Sequence, residues 1–314
     1  MYRNWIGDSM DLIRKIKSNL RLTVQIVFTA LTNGYFLGLA KGKIYQGDSK
    51  QLCVPGLNCY SCPGAIGSCP IGSLQAVLGS RNFKFSFYII GFLMMVGAFV
   101  GRFVCGWLCP FGLVQDLLYK IPFIKKIKKV PLDKPLRYLK YVILVVFVII
   151  MPLTLTNFAG EGNPWFCKLI CPSGTLLGGV PLVSMNSSLR KIIGPLFTWK
   201  MFILVSIVIL SIKIYRPFCK YLCPLGAIYG LFNKYSLYKY EIDEDKCTKC
   251  GLCERKCDMN VAVYKTPNSA ECIRCGKCIK VCPRGAIKTT FTKTKDAACN
   301  SKCSGCKSNC ASKN

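Results

Sequence analysis

Hydrophobic positions along the chain gather into four long runs separated by polar loops, and not into short alternating segments. Residues 22–40 carry no charge, and a helix of that length crosses a hydrocarbon layer of about 30 Å. A second run covers residues 85–107, and a third, uncharged from 141 to 158, follows a basic loop. The fourth, residues 195–215, is interrupted by Lys200 and Lys213, which leave only 201–212 free of charge; both lysines are long enough to snorkel. The pattern predicts four membrane-crossing helices, with shorter apolar segments such as 71–78 in the loops between them. Residues 1–19 are polar and basic with an amphipathic strip at Ile13, Ile16 and Leu20, and read as a cytoplasmic lead-in helix. After residue 234 the long runs stop, so 20–234 is the membrane part, 235–292 a small soluble domain and 293–314 a tail.

A repeat organises the membrane part. Cys-Pro-x-Gly occurs four times, at Cys69-Pro70-Ile71-Gly72, Cys109-Pro110-Phe111-Gly112, Cys171-Pro172-Ser173-Gly174 and Cys223-Pro224-Leu225-Gly226. Three copies have a cysteine four positions upstream (Cys105, Cys167, Cys219), and the first has Cys62 further back, with Cys53 and Cys59 before it. Proline is favoured at the first helical position, so each motif predicts a helix capped by cysteine, its thiolate facing the positive end of the helix dipole. Such a place favours an anionic, thiolate-ligated cluster.

Charge then sets an orientation. Lys125, Lys126, Lys128, Lys129, Lys134 and Arg137 crowd the loop between the second and third runs, which the positive-inside rule places in the cytoplasm. Both termini are then cytoplasmic, the first and third Cys-Pro copies face outward and the second and fourth inward. The two halves match as parallel repeats. The inner set is Cys105, Cys109, Cys219 and Cys223, two thiols from each half. The outer set is Cys62, Cys69, Cys167 and Cys171, with Cys53 and Cys59 as alternates or extra ligands. Straight spans would hold the sets about 30 Å apart. The Cys-Pro segments are therefore expected to dip inward as half-helices, a backbone tolerated at that depth only when buried in protein; a quinone or flavin between the sets is the other solution.

Composition narrows the chemistry. A hydrophobic share of 52 % and a mean hydropathy of +0.35 suit a membrane protein. The formal charge of +29, from 43 Lys and Arg against 14 Asp and Glu, is compatible with nucleic acid, but the basic residues flank apolar runs and thiolates on clusters would lower the charge, so no nucleic-acid partner is expected. Histidine is absent, which excludes histidine-ligated haem, Rieske centres, imidazole zinc sites and histidine acid–base catalysis. The 22 cysteines fall in metal-ligand spacings and not in a disulfide framework.

The soluble domain carries the sharpest motif. Cys247-x-x-Cys250-x-x-Cys253-x-x-x-Cys257 is followed by Cys272-x-x-Cys275-x-x-Cys278-x-x-x-Cys282-Pro283. In two-cluster ferredoxins the fourth cysteine of each run serves the other cluster. One [4Fe-4S] cluster would thus use Cys247, Cys250, Cys253 and Cys282, the other Cys272, Cys275, Cys278 and Cys257. Asp258 stands where proline is usual. The tail holds Cys299, Cys303, Cys306 and Cys310, spaced for a further cluster or another metal.

The motif Arg102-Phe103-Val104-Cys105-Gly106-Trp107-Leu108-Cys109-Pro110-Phe111-Gly112, the later C-x-x-x-C-P copies and Glu271-Cys272-Ile273-x-Cys275-Gly276-x-Cys278 resemble membrane polyferredoxins of the NapH and NosR type over about residues 85–288. The resemblance implies a multi-pass anaerobic electron-transport protein passing electrons between a quinol pool or cytosolic donor and a partner reductase. It departs from that type in its cysteine-rich first loop, third C-x-x-x-C-P pair and tail. The fold expected is a mostly α membrane protein of four helices with half-helices, plus a small α+β two-cluster ferredoxin-like domain. An electron-transfer subunit of an oxidoreductase fits better than a stand-alone enzyme, since no nucleophile with a base and no phosphate loop is present. A membrane metal-handling or cluster-assembly protein is the alternative from a different class, and a membrane-attached redox sensor a third.

Overall fold

The first apolar run folds as a helix over Leu20–Thr32 and then breaks. Asn33 turns its amide back onto the Thr29 carbonyl at 3.1 Å, and the Tyr35 backbone N–H leaves the helix to donate to the Gly64 carbonyl at 3.1 Å. A second short helix, Phe36–Lys41, follows. This computed structural model describes residues 20–80, 86–122, 125–128, 130–155 and 162–291. The lead-in and the tail cysteines Cys299, Cys303, Cys306 and Cys310 lie outside the described residues.

Among the described residues, two helices are long and apolar enough to cross a membrane, Asp133–Thr154 and Pro195–Lys213, with mean hydropathies of 2.1 and 2.0. Only 22 % and 17 % of their apolar windows are buried, so these faces look outward, as expected of a membrane protein. The other two expected spans are shorter. Ser86–Val100 ends at Gly101, whose φ of +52° stops the helix before Phe103–Trp107 restarts it. The Asp133–Thr154 helix widens into a π-helical stretch at Leu144–Ile150.

Each Cys-Pro motif does open a helix, as its chemistry predicts. Cys69, Cys109, Cys171 and Cys223 are the N-caps, all extended in backbone, with proline at the helix start. The helices Pro70–Leu78 and Pro224–Phe232 pack on Ser86–Val100, whereas Pro110–Tyr119 and the turn Pro172–Gly174 pack on Pro195–Lys213. Three five-residue helices carry the upstream cysteines: Phe103–Trp107, Trp165–Leu169 and Pro217–Tyr221.

The soluble part is built on two antiparallel strands, Tyr240–Ile242 and Ile287–Thr289, with Glu241 opposite Lys288. Its two cysteine runs fold alike. Lys249 and Arg274, each just before the second cysteine, have φ of 53° and 52°, and Gly251 and Gly276, each just after it, have 72° and 75°. This internal symmetry is the α+β ferredoxin-type fold.

Candidate metal centre

The two soluble cysteine runs converge as their spacing predicts. Cys247, Cys250, Cys253 and Cys282 line one small cavity of about 30 Å³, and Cys257, Cys272, Cys275 and Cys278 line another of about 20 Å³. The fourth cysteine of each run therefore sits with the other run's three. Asp258, in the place of the usual proline, is ion-paired with Lys277, which lies between Cys275 and Cys278. Cys250 is exposed while Cys272 and Cys278 are buried. Burial pushes the Cys272 thiol up to about 12 and raises that of Cys278 as well, so a bound metal core is what would keep these sulfurs ionised.

In the helical part before residue 235 the four thiols read as the inner set, Cys105, Cys109, Cys219 and Cys223, are all buried and lie within electrostatic reach of one another. Two arginines clasp them. Arg102 Nη2 donates to the Cys219 carbonyl at 2.9 Å, and Arg216 Nη1 donates to the Cys105 carbonyl. Each arginine stands three residues before its own upstream cysteine and reaches the other half's. Each also fills the space over the partner motif's glycine: Arg102 Nη2 is 3.2 Å from the Cβ position of Gly226, and Arg216 Nη1 3.2 Å from that of Gly112. Both guanidinium groups are fully buried and paired, Arg102 with Glu271 at 3.0 Å and Arg216 with Asp116 at 2.6 Å. Lys140 is a second partner of Glu271, and Arg21 of Asp116. Burial alone would raise the Glu271 carboxyl, but Arg102 and Lys140 hold it below the usual carboxylate range.

The outer thiols surround a larger cavity of about 600 Å³, lined among others by Cys53, Cys59, Cys69, Cys167 and Cys171. Cys62 does not line it; its S–H donates to Asn33 Oδ1 at 3.6 Å. Lys200, one of the two lysines read from sequence as able to snorkel, is among the residues lining this cavity. One device is shared with the inner set. Gln75 Nε2 donates to Cys167 Sγ at 3.4 Å and its Oε1 accepts from the Phe166 N–H at 2.9 Å. Gln115 Nε2 donates to Cys219 Sγ at 3.2 Å and its Oε1 accepts from the Phe218 N–H at 3.2 Å.

The sites are close neighbours. A Cβ on Gly56, in the loop of Cys53 and Cys59, would stand 3.1 Å from Cys109 Cα, and the Leu57 N–H is directed at the Cys109 sulfur. Tyr229 is fully buried within electrostatic reach of Cys105 and Cys109 and of Cys53 and Cys69. On the soluble side, Gly106 lies against the Ile273 carbonyl so tightly that a Cβ has no room, and Trp107 Nε1 donates to the Arg274 carbonyl at 3.0 Å. Asn233 bridges the same seam, donating to the Ser269 and Cys272 carbonyls at 2.8 and 2.7 Å.

Four thiols to a set, with no nitrogen or carboxylate donor among them, match the donor chemistry of a [4Fe-4S] cluster. Among the described residues no three Cys, Asp or Glu side chains converge tightly enough to grip a single metal ion, whose four sulfurs would stand about 3.8 Å apart around zinc. Ser173 Oγ, buried in the outer cavity wall, has no hydrogen-bond partner among the described residues, as a hydroxyl facing a cluster sulfur would not.

Fold and sites together define an iron–sulfur protein with tandem cysteine motifs. The chain matches 4Fe-4S binding domain families over residues 85–131, 139–184 and 196–239, and again over 240–262 and 266–288. It is 33 % identical over 209 residues to MJ0749, an uncharacterised protein of Methanocaldococcus jannaschii, covering 64 % of this chain and 70 % of the relative. It is 26 % identical to the ferredoxin-type protein NapH of Escherichia coli, covering 60 % of this chain and 62 % of NapH. The regulatory protein NosR of Pseudomonas aeruginosa is 26 % identical over 49 % of this chain, which spans 20 % of NosR. No solved structure matches the chain. The chain belongs to the polyferredoxins of the NapH/NosR type, and it is an iron–sulfur electron-transfer protein.

The arginine clasp, the two glutamines and Tyr229 were not read from sequence as site residues. A signal for the first two exists: arginine recurs three residues before Cys105 and Cys219, and glutamine six residues after Cys69 and Cys109.

Proposed function

We propose that the chain is a membrane-embedded conduit that carries single electrons between the outer site and the surface of its ferredoxin domain. When bound, [4Fe-4S] clusters supply one-electron redox chemistry at each thiol set. Cys247, Cys250, Cys253 and Cys282, then Cys272, Cys275, Cys278 and Cys257, would hold the two soluble clusters. Cys105, Cys109, Cys219 and Cys223 would hold the inner membrane cluster, and the outer thiols a fourth. The observation that carries this reading is the seam where Cys105-Gly106-Trp107 packs directly on Cys272-Ile273-Arg274.

Four crossings with cytoplasmic termini are the topology we favour, and the exchange of Arg102 and Arg216 between halves supports two parallel repeats. The inward-dipping segments are supported by the contact of Gly56 and Leu57 with Cys109, which brings the two sets together without a quinone or flavin. The arginines balance thiolate charge, and the glutamine amides donate to cluster-ligating sulfur, so the protein tunes each site by hydrogen bonds and burial.

Anaerobic purification with iron and sulfide analysis, followed by redox titration monitored by EPR, tests the proposal. Several interacting low-potential signals are expected. Zinc in place of iron, or iron sufficient only for the soluble pair, about eight per chain, would overturn it.

A further inference from the structure

The repeat leaves a gap in the outer site. In the other three copies the upstream ligand stands four residues before the Cys-Pro cysteine, at Cys105, Cys167 and Cys219; in the first copy that position is Ala65, fully buried. A fourth outer thiol must come from elsewhere in the loop, and three cysteines are available.

We infer that Cys59 supplies it, so that the outer set is Cys59, Cys69, Cys167 and Cys171, with Cys53 and Cys62 outside it. This deepens the conduit reading and rests on it. The chain turns tightly between Cys59 and Cys62, the Cys62 N–H donating to the Cys59 carbonyl at 3.0 Å. That turn sends the two side chains to different surroundings. Cys59 Sγ comes to 3.6 Å from the Cβ position of Gly174, and Cys171 Sγ to 4.0 Å from the same point. Cys167 Sγ lies 3.8 Å from the Cβ position of Gly72, in the motif of Cys69. The glycines of the first and third motifs therefore give room to sulfur, where those of the second and fourth give room to arginine.

Electrostatics traces the same four. The charge of Cys59 acts on Cys69, Cys167 and Cys171, and Cys167 also feels Cys69 and Cys171. Cys62 turns away and donates its S–H to Asn33 Oδ1. Cys53 lines the cavity, yet its thiol is engaged by Ser73. Lys200 brings positive charge to Cys59, and Lys50, whose Nζ is fixed on the Ala65 carbonyl at 3.0 Å, brings it to both Cys59 and Cys62. The outer site thus obtains from lysines and a displaced cysteine what the inner site obtains from arginines and a regular one.

The test uses the full chain, purified anaerobically, as wild type, C59S, C62S and C53S, with iron and sulfide counted and EPR recorded after reduction. C59S should lose about four irons per chain and one EPR component while the ferredoxin signals persist. C62S and C53S should keep the full wild-type iron. The C62S arm decides independently of how C59S folds: loss of about four irons in C62S, with ferredoxin signals intact, would overturn the assignment. Wild type holding only about eight irons would instead defeat the conduit reading itself.

Discussion

The hydroxyl of Tyr229 donates to the carbonyl of Pro55 at 3.1 Å, joining the helix opened by the last Cys-Pro motif to the loop of Cys53 and Cys59. Tyr229 is fully buried within reach of thiols of both the inner and the outer set, so its ring is packed where the two sets approach. Y229F should retain both clusters and cost about 1 kcal/mol, the ordinary worth of one hydrogen bond. Y229A should cost about 3–5 kcal/mol by opening a cavity and slow reduction of the outer cluster, followed by freeze-quench EPR. Unchanged kinetics in Y229A would show that electrons pass by another path.

The arginine clasp predicts an electrostatic effect confined to one site. Removing the Arg102 charge in R102Q leaves Glu271 to Lys140 alone and should destabilise the protein by about 3–5 kcal/mol, since both partners are buried. Less positive charge beside the inner thiols also disfavours the reduced cluster. Its potential should fall by on the order of 100 mV, read by redox titration, with the outer signal unmoved. R102K should recover the charge but not the fork that spans Glu271 and the Cys219 carbonyl.

Gln75 and Gln115 offer a matched pair. Each donates one N–H to a thiol of a different set, and hydrogen bonds to ligand sulfur raise cluster potentials. Q75L should lower only the outer potential and Q115L only the inner. A shift in both signals from either change would mean that the thiol sets are not separate.

Asp258 is a minor departure with a local explanation. Its partner Lys277 is 40 % exposed, so the pair contributes no more than about 1 kcal/mol. D258P should leave iron content unchanged and stability, measured as Tm, nearly so.

Much of this arrangement was legible in the chain because its information is local. The ferredoxin ligands follow each other at short intervals, and the exchange of Cys257 and Cys282 between sets follows from that spacing. The cysteine caps followed from proline at the helix start. What escaped depends on contacts between distant segments. Arg102 and Arg216 look like boundary residues until each is seen on the other half's carbonyl. Lys200 interrupts an apolar run, and only packing reveals that it faces thiols. The first span, uncharged throughout, gave no sign that Asn33 and Tyr35 would leave the helix to hold the cysteine loop, because that break is made by partners at Gly64 and beyond. Cys59 and Cys62 stand at the two ends of one tight turn, which composition cannot rank.

Cys250 is the exposed corner of the cluster set farthest along this series of sites. Oxygen attacks iron–sulfur centres where solvent reaches their sulfurs, so damage in air should begin there and proceed inward. The buried sites would outlast their own outlet. An aerobically handled preparation would then still look iron-rich and coloured while being unable to exchange electrons with a soluble protein, and colour would be a poor measure of competence for this chain.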